Sequence, residues 1–249
     1  MKNITAILFC GGRGTRLYPV TDYYQKVMMP LGDEGKPMLE FVIEWLSSYG
    51  INNFVALIRY RANQIRRYFG DGSNWGVSID YVLDDPAYKG TGGALLNAKG
   101  NIKTDEMLIY YTDILSNFNI KAMIDYHLDH GKIGTNLLDK NWKVTEGVVK
   151  LNEKNNIHSL DTQPEREIYA NTGISMLNRG CFDYLEKLAT KENNPMNIDL
   201  SGDLFPILAL ERQIKAYFME EWWLDVGSLT RHQLINQHLL DMKFGGENP

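Results

Sequence analysis

ITAILFC-GGRGTRL, residues 4–17, joins a short apolar run to three glycines, two arginines and a threonine. The apolar half has the length and composition of a buried strand, and the glycines follow at its end. Glycine lets the backbone turn tightly and approach a ligand, so that its N–H groups can point at phosphate oxygens. The arginines add forked donors that suit phosphate. A strand with a flexible turn is the alternative, and the position of the run after the first strand favours a phosphate-binding loop.

Two better-known phosphate loops do not fit this stretch. The Walker A loop ends in Gly-Lys-Ser/Thr, whereas Gly14 is followed here by Thr15-Arg16. The dinucleotide fingerprint requires a third glycine or alanine, and this chain has Leu17 at that place. The fingerprint also opens a helix at once, whereas Pro19 and the polar residues 21–25 indicate a longer loop.

The stretch resembles the signature of the sugar-1-phosphate nucleotidyltransferases, the NDP-sugar pyrophosphorylases. Their pattern is a strand, Gly-Gly-x-Gly-Thr-Arg-Leu, a proline, then Pro-Lys, a second proline and Gly-Lys-Pro before a helix. The matching residues here are 11–17, Pro19, Lys26, Pro30 and GKPMLE at 35–40. Gln25 replaces the proline of Pro-Lys, and Asp33-Glu34 are inserted before Gly35. The elements recur in order and spacing, which makes the resemblance specific.

Length and composition limit the class of protein, its domain number and its partners. A chain of 249 residues can bury a sizeable core and still form one α/β domain. The net charge of −5 argues against a nucleic-acid partner, so we expect a local cluster of Arg, Lys and metal ions for anionic ligands. Cys10 and Cys181 form no metal-like or redox pair. With no leader pattern after Met1 and no run of membrane-spanning length, we expect a soluble cytoplasmic protein.

Strand-like and helix-like stretches alternate along the chain. Such alternation indicates right-handed βαβ units, and together with the resemblance it predicts an α/β, Rossmann-like three-layer fold with a largely parallel mixed central sheet. We expect one domain, 1–249, with a nucleotide-binding half at 1–130 and a sugar-phosphate-binding half at 131–249. Without hexapeptide repeats, no β-helical acyltransferase domain is expected. The predicted strands are 4–10, 54–58, 77–83, 107–111, 134–138, 147–151, 168–177 and 215–219, and the main predicted helices are 38–49, 65–69, 120–127, 182–188, 204–210 and 229–240.

A second glycine-rich stretch, DDPAYKGTGGAL at 84–95, follows the third strand and leads towards a helix. A plain strand-to-helix connection is the alternative to ligand binding. Gly90 to Leu95 resembles the family's Gly-Thr-Ala-Gly-Ala-Leu segment, which lies against the nucleotide, so the implied contacts are Gly90, Thr91 and Gly92. Asp84 or Asp85 lies where the family places a base-contacting Gln or Glu, and Asp85 is taken as the contact.

An aspartate at this place favours GTP as the nucleotide. Guanine presents paired N–H donors on its Watson–Crick edge, whereas uracil and thymine present one. The expected partner is then mannose 1-phosphate or a heptose 1-phosphate. Asn74-Trp75-Gly76 resembles thymidylyltransferases instead, so a glucose-1-phosphate thymidylyl-, uridylyl- or cytidylyltransferase is the alternative. The sugar is left open, and a homo-oligomer is compatible with the sequence.

Two aspartates are the candidate metal ligands. Asp113 follows the apolar strand 107–111, and a carboxylate at the carboxyl end of a parallel strand faces the crevice where α/β sheets bind ligands. A helix-capping aspartate is the alternative. The family has Gly-Asp here, and that aspartate holds magnesium. WWLDVGS at 222–228 resembles the family's Trp-x-Asp-Ile-Gly-Thr, which implies Asp225 as the second ligand of Mg²⁺, an ion that prefers oxygen ligands.

The predicted strand 168–177 contains a polar interruption, where the family carries Asn-Ala-Gly and binds the sugar. The implied sugar contacts are Asn171 and Gly173, and a turn or bulge around Gly173 is the alternative. Just upstream the family usually shows Glu-Lys-Pro, whereas Thr162-Gln163-Pro164 lacks both charges. Either Arg166 or another cation replaces the lysine, or affinity for the sugar phosphate is reduced.

The resemblance implies that a sugar 1-phosphate oxygen attacks the α-phosphorus of a nucleoside triphosphate and pyrophosphate leaves. Such a transfer needs in-line positioning and neutralised charge rather than a protein nucleophile. The implied roles are a triphosphate cradle for Gly11, Gly12, Gly14 and Thr15, stabilisation of the departing pyrophosphate for Arg16, stabilisation of the α-phosphate for Lys26, and magnesium binding for Asp113 and Asp225.

Two other classes of protein are kept as alternatives. The missing Glu-Lys pair suits a nucleotide-binding regulatory homologue with weak catalysis. A dinucleotide-dependent oxidoreductase would need a ribose-binding acid after the second strand, where this chain has Arg59-Tyr60-Arg61. His127 and His130 lie three positions apart without a carboxylate at metal-site spacing, and they are expected at the surface.

Overall fold

The structure is a computed structural model that describes residues 3–140, 148–153, 156–161, 169–190 and 197–245. Its strands are β1 (Ile4–Cys10), β2 (Pro30–Leu31), β3 (Lys36–Pro37), β4 (Asn53–Ile58), β5 (Ser78–Leu83), β6 (Glu106–Tyr111), β7 (Ile114–Ser116), β8 (Gly134–Asp139), β9 (Val148–Leu151), β10 (Ile157–Asp161), β11 (Ala170–Asn178), β12 (Ile214–Met219) and β13 (Trp223–Asp225). Its α-helices are α1 (Met38–Ser48), α2 (Ala62–Phe69), α3 (Gly90–Asn97), α4 (Ile120–His130), α5 (Cys181–Ala189), α6 (Phe205–Leu210), α7 (Leu229–Gln233) and α8 (Gln237–Phe244).

Within these residues, seven strands form a central sheet in the order β12-β8-β11-β6-β1-β4-β5. Strand β1 pairs in parallel with β4 and β6, β4 with β5, and β8 with β12. Strand β11 runs antiparallel between β6 and β8. The six parallel strands therefore end at one edge of the sheet, which is where open α/β sheets bind ligands. The predicted mixed, largely parallel sheet is confirmed.

Helices cover both faces of this sheet, and the strands supply apolar side chains to each. Leu8 of β1 belongs to the core beneath α1, α2 and α4, whereas its neighbour Ile7 belongs to the core beneath α3, α5 and α6. A strand buried on both faces gives a continuous apolar run instead of an alternating one, which explains the sequence of residues 4–10. The three-layer architecture is confirmed. In the described part of the chain, no helix is both long and apolar enough to cross a membrane.

Two predictions about helices are wrong. The predicted helix 229–240 is divided into α7 and α8, because the side chain of Asn236 accepts the backbone N–H of Leu239 at 2.9 Å and begins a new helix. His127 of α4 is buried and not at the surface. Its Nδ1 lies 2.7 Å from Thr135 Oγ1 and its Nε2 lies 3.1 Å from Glu106 Oε2, which ties α4 to β8 and β6.

A two-stranded pair brings a late part of the chain to the ligand-binding edge. Strand β7, which directly follows β6, pairs antiparallel with β13, and Asp225 lies opposite Ile114. The backbone N–H of Val226 then donates to the carbonyl oxygen of Asp113 at 2.7 Å. As a result, Asp113 and Asp225 come together although they are far apart in the sequence.

Candidate active site

A cavity of about 430 Å³ opens at the carboxyl ends of β1, β4, β5 and β6. Six residues that the sequence singled out lie in its wall, namely Gly11, Gly12, Lys26, Gly90, Thr91 and Asp113. The other described residues of the wall are Phe9, Cys10, Gln25, Val27, Leu57, Arg59, Asp84, Ala94, Tyr111, Thr112 and Asp199. The fold therefore gathers both glycine-rich stretches, one lysine and three carboxylates around one space.

The glycine loop depends on close approaches that a side chain would block. Gly14 has a φ of +64°, and a Cβ there would lie 3.1 Å from the Cβ of Lys26. A Cβ on Gly11 would lie 2.8 Å from Oδ2 of Asp84. A Cβ on Gly12 would have no described neighbour within 4 Å. The loop thus packs closely on two cavity residues while the backbone at Gly12 stays open to a ligand.

Two further residues of the loop line a neighbouring pocket instead. Arg13 and Thr15, with Tyr60, border a space of about 220 Å³. The guanidinium carbon of Arg13 lies 5.7 Å from the centre of the Tyr60 ring, a distance at which a cation is attracted to the ring face. Thr15 is therefore placed beside the main cavity rather than in its wall.

Lys26 and Asp113 form an ion pair in the cavity wall. The Nζ of Lys26 donates to Oδ2 of Asp113. The two side chains are only 12% and 25% exposed, so the attraction is screened less than that of a surface pair. The amine is thereby held at the cavity, where an anionic ligand could become its partner.

Asp225 is not among the residues that line the cavity, and its carboxylate is held by arginine and by backbone. Arg231 of α7 donates from Nη1 to Oδ2 of Asp225 at 2.8 Å, and Nη1 of Arg16 lies 4.0 Å from the same oxygen. Oδ1 accepts the N–H of Gly227 at 2.7 Å. The Arg16 side chain is 65% exposed and thus accessible to a ligand. Sequence reasoning missed Arg231, since no motif marks an arginine six residues after an aspartate.

The carboxylates suit a divalent ion whose remaining ligands come from a substrate. Among the described residues, no three His, Cys, Asp or Glu side chains are grouped as a metal site. Magnesium is commonly bound through one or two carboxylates together with phosphate oxygens and water. Asp113 lies just before β7 and Asp225 lies at the end of its partner β13, and both side chains carry hard oxygen ligands. The donor set therefore fits Mg²⁺ that is completed by phosphate.

The glycines of the second glycine-rich stretch, Gly90, Gly92 and Gly93, lie in the first turn of α3 and not in a loop before it. Gly90 has a φ of +75°, and a Cβ there would lie 2.3 Å from the carbonyl oxygen of Ile198. The N–H of Gly92 donates to that same oxygen at 2.7 Å. Thr91 donates from Oγ1 to Oδ2 of Asp199 at 2.9 Å. The glycines thus let α3 dock on the segment that carries Asp199, a cavity residue that the sequence did not identify.

Gly90→Ala should lower the free energy of unfolding by about 2–4 kcal/mol. A left-handed backbone costs an L-residue about 1–2 kcal/mol, and moving the Ile198 carbonyl adds overpacking strain of similar size. Denaturant unfolding of Gly90→Ala and Gly100→Ala measures this effect. Gly100 is the matched control because a Cβ there would have no described neighbour within 4 Å. Equal unfolding free energies for the two variants would contradict the prediction.

Of the two candidate base contacts, the structure brings Asp84 to the cavity. Burial raises the pKa of Asp84, and the charge of Arg59 partly opposes this shift. Asp85 is exposed, and its Oδ1 accepts the N–H of Ala87 at 2.8 Å. The predicted base contact Asp85 thus bonds to the backbone of its own turn, whereas Asp84 lies in the cavity wall.

The predicted sugar contacts lie on β11, outside the residues that line the cavity. Oδ1 of Asn171 accepts the N–H of Gly173 at 3.1 Å, and the pairing of β11 with β8 is irregular between Asn171 and Ser175. A Cβ on Gly173, whose φ is +83°, would lie 2.8 Å from the ring of Tyr111 in the cavity wall. The bulge is therefore present, and the sugar contact stays a prediction. Thr162, Gln163, Pro164 and Arg166 lie outside the described residues.

The cysteine in the cavity wall is not a ready nucleophile. Burial raises the pKa of the Cys10 thiol to about 12, so the thiol is neutral at physiological pH and a poor nucleophile. Its Sγ lies 3.6 Å from Oγ1 of Thr112. The described wall of the cavity therefore offers cations and carboxylates rather than a reactive thiol.

Two curated relatives resemble most of this chain. A mannose-1-phosphate guanylyltransferase of Mycobacterium tuberculosis is 25% identical over 233 residues, which cover 90% of this chain and 61% of that protein. A bifunctional protein GlmU of Methanococcus maripaludis is 31% identical over 228 residues, which cover 89% of this chain and 51% of that protein. The chain thus spans between half and two thirds of the length of these relatives.

A solved structure and a family model cover almost the entire chain. The solved structure comes from Bacillus anthracis and is described as a glucose-1-phosphate thymidylyltransferase in complex with a sucrose. It matches 98% of both chains with a TM-score of 0.78 and a sequence identity of 23%. It supports the fold. The family model described as Nucleotidyl transferase matches residues 5–241. The chain therefore belongs to the nucleotidyl transferase family.

Proposed function

We propose that this chain joins a nucleoside triphosphate to a sugar 1-phosphate and releases pyrophosphate. The observation that carries the proposal is the cavity in which the glycine loop, Lys26 and Asp113 meet at the carboxyl edge of the sheet. Transfer at phosphorus is accelerated by fixed donors and charges around the reacting group, and these are what the cavity contains. We further propose one domain, in which residues 1–130 bind the nucleotide and residues 131–249 the sugar phosphate.

In this proposal the triphosphate lies along the loop 11–15, with the open backbone at Gly12 against it. The sugar 1-phosphate oxygen forms a new bond to the α-phosphorus, and the bond from that phosphorus to the bridging oxygen of the pyrophosphate breaks. Lys26 neutralises charge on the α-phosphate, and Arg16 receives the pyrophosphate. The protein forms no covalent bond, in keeping with the neutral thiol of Cys10.

The proposed cofactor is Mg²⁺, held by Asp113 and Asp225. Held there, the ion would supply positive charge that neutralises the phosphates of the substrate. The chain's own contribution is to orient the two carboxylates. Lys26 and Arg231 hold them in the free protein, and the antiparallel pairing of β7 with β13 fixes their backbones side by side.

Guanine is the proposed base, and Asp84 its contact. A half-buried carboxylate has lost part of its hydration. Hydrogen bonds from the paired N–H donors of a base edge therefore stabilise it more than they would stabilise an exposed carboxylate. The Mycobacterium tuberculosis relative is named a guanylyltransferase. Trp75, from the segment that resembles thymidylyltransferases, packs on Phe69 with ring centres 4.9 Å apart and is not among the cavity residues. Mannose 1-phosphate or a heptose 1-phosphate is the proposed partner.

The test is pyrophosphate release with Mg²⁺, in which five triphosphates (ATP, CTP, GTP, UTP and dTTP) are crossed with the 1-phosphates of mannose, glucose, galactose, N-acetylglucosamine and a heptose. The proposal expects release with GTP and mannose or heptose 1-phosphate above all other pairs. Release with dTTP or UTP and glucose 1-phosphate would keep the reaction and overturn the base. Nucleotide binding without release for any pair would favour the regulatory alternative.

Asp84→Asn should lower the preference for GTP over the other triphosphates by about 10- to 100-fold in kcat/KM, the worth of a hydrogen bond to a charged group. Because burial raises the pKa of Asp84, the ionised carboxylate weakens the fold above that pKa. The variant should therefore be no less stable than the parent at pH 7. Asp85→Asn is the matched control, and a larger change of preference in that variant would restore Asp85 as the base contact.

A further inference from the structure

We infer that Gln25 is the positioning residue that holds the glycine loop and Lys26 in register with each other, an inference that rests on the proposed function. The side chain of Gln25 is fully buried and lies in the cavity wall, directly before the turn that carries Lys26. It is neither charged nor placed to bind a phosphate from solvent. Its contacts are instead with the backbone on both sides of it.

One end of the amide binds the glycine loop. Nε2 of Gln25 donates to the carbonyl oxygen of Cys10, the last residue of β1, at 2.5 Å. The same nitrogen lies 3.5 Å from the carbonyl oxygen of Gly12, a longer and weaker contact. The side chain therefore reaches the segment where the first strand ends and the loop begins.

The other end of the amide binds the lysine segment. Oε1 of Gln25 accepts the N–H of Val27 at 2.6 Å and so caps the short turn Lys26–Met28. The primary amide of glutamine can donate to a carbonyl oxygen through its nitrogen and accept from an N–H through its oxygen at the same time. Gln25 thus bridges the backbone of the loop to the backbone next to Lys26.

The bridged segments also pack directly on each other. A Cβ on Gly14 would lie 3.1 Å from the Cβ of Lys26, which leaves little room for either segment to shift. Lys26 in turn pairs with Asp113. A displacement of about 1 Å at a reacting group can cost about 100-fold in rate. Gln25 therefore governs the efficiency of Lys26 although it makes no contact with substrate.

A double-mutant cycle in the whole protein tests this inference. Gln25→Met keeps the length and removes both side-chain bonds, and it should lower kcat by about 10- to 100-fold, with less change in KM. If Gln25 acts through Lys26, the double variant with Lys26→Ala should be no slower than Lys26→Ala alone. Losses that multiply would overturn the inference.

Gln64→Met is the matched control for loop anchoring. Gln64 accepts the backbone N–H of Gln25 at 2.6 Å and donates to the carbonyl of Tyr23 at 2.6 Å, so it holds the same segment from outside. This variant should lose less kcat than Gln25→Met. An equal loss of kcat in the two variants would mean that Gln25 only maintains the fold. The same would follow if the loss in Gln25→Met matched the fraction of unfolded protein measured by circular dichroism.

A second readout separates this inference from the proposed function. Calorimetric titration with Mg²⁺ and GTP, repeated with dTTP, gives the affinity of each variant without turnover. A parent that binds nucleotide yet releases no pyrophosphate would refute the proposed function. The double-mutant cycle, measured as nucleotide affinity, would then still test the role of Gln25. Independent effects of Gln25→Met and Lys26→Ala on that affinity would overturn the inference.

Discussion

Lys26→Ala should lower kcat by about 100-fold or more, with the folded structure retained. Removing one preorganised charge contact to a transition state costs on the order of 3 kcal/mol, which corresponds to about 100-fold. Lys26 is held in the cavity wall by Asp113 and packs on Gly14, so it is ordered before a ligand arrives. Steady-state pyrophosphate release measures the effect, and the loss should lie in kcat, because the charge is needed most in the transition state.

Lys121→Ala is the control for this change. Lys121 also forms an ion pair, with Asp125 at 2.7 Å one turn along α4, but the two side chains are 64% and 61% exposed and outside the cavity. An exposed pair of this kind contributes little to stability, and its loss should leave kcat as in the parent. Parent-like turnover by Lys26→Ala would remove Lys26 from the mechanism.

Asp113→Asn should reduce turnover by about 100-fold or more and raise the Mg²⁺ concentration needed for half-maximal activity. Asparagine keeps the shape but loses the charge that a divalent ion requires from its oxygen ligand. The variant also leaves Lys26 without its carboxylate. A magnesium titration of pyrophosphate release, together with calorimetry of Mg²⁺-dependent GTP binding, measures both consequences.

Two further variants separate these consequences. If Asp113 only holds Lys26, the double variant with Lys26→Ala and Asp113→Asn should behave as Lys26→Ala does, with an unchanged magnesium requirement. A further rise in that requirement would identify Asp113 as a ligand of the ion. Asp125→Asn removes the carboxylate of the exposed Lys121 pair, and it should alter neither turnover nor the magnesium dependence.

Local patterns predicted the seven strands of the central sheet and the edge at which the cavity opens, but not the short strands β2, β3, β7, β10 and β13. The apolar run 4–10 and the glycines after it indicated a buried strand and a ligand loop, because both depend on neighbours in the chain. The place of Asp113 in the cavity wall was predictable in the same way, since it lies two residues after the buried strand β6. In each case the carboxyl end of a parallel strand carries the side chain to the crevice.

The contacts between distant segments were not predictable from such patterns. Gln25 looked like a departure in a polar loop, whereas the fold buries it completely between Cys10 and Val27. Which of Asp84 and Asp85 reaches the cavity depends on how the chain turns after β5. His127 lies in a helix whose pattern gives no sign of its partners, because Glu106 and Thr135 come from two other strands.

The pairing of β7 with β13 also has a consequence for the time course of synthesis on the ribosome. The glycine loop, Lys26 and Asp113 leave the ribosome before Asp225 and Arg231 do. A nascent chain can therefore complete all six parallel strands of the sheet and still lack one of its two proposed metal ligands. Competence for the reaction would then appear only once the residues around β13 have left the exit tunnel.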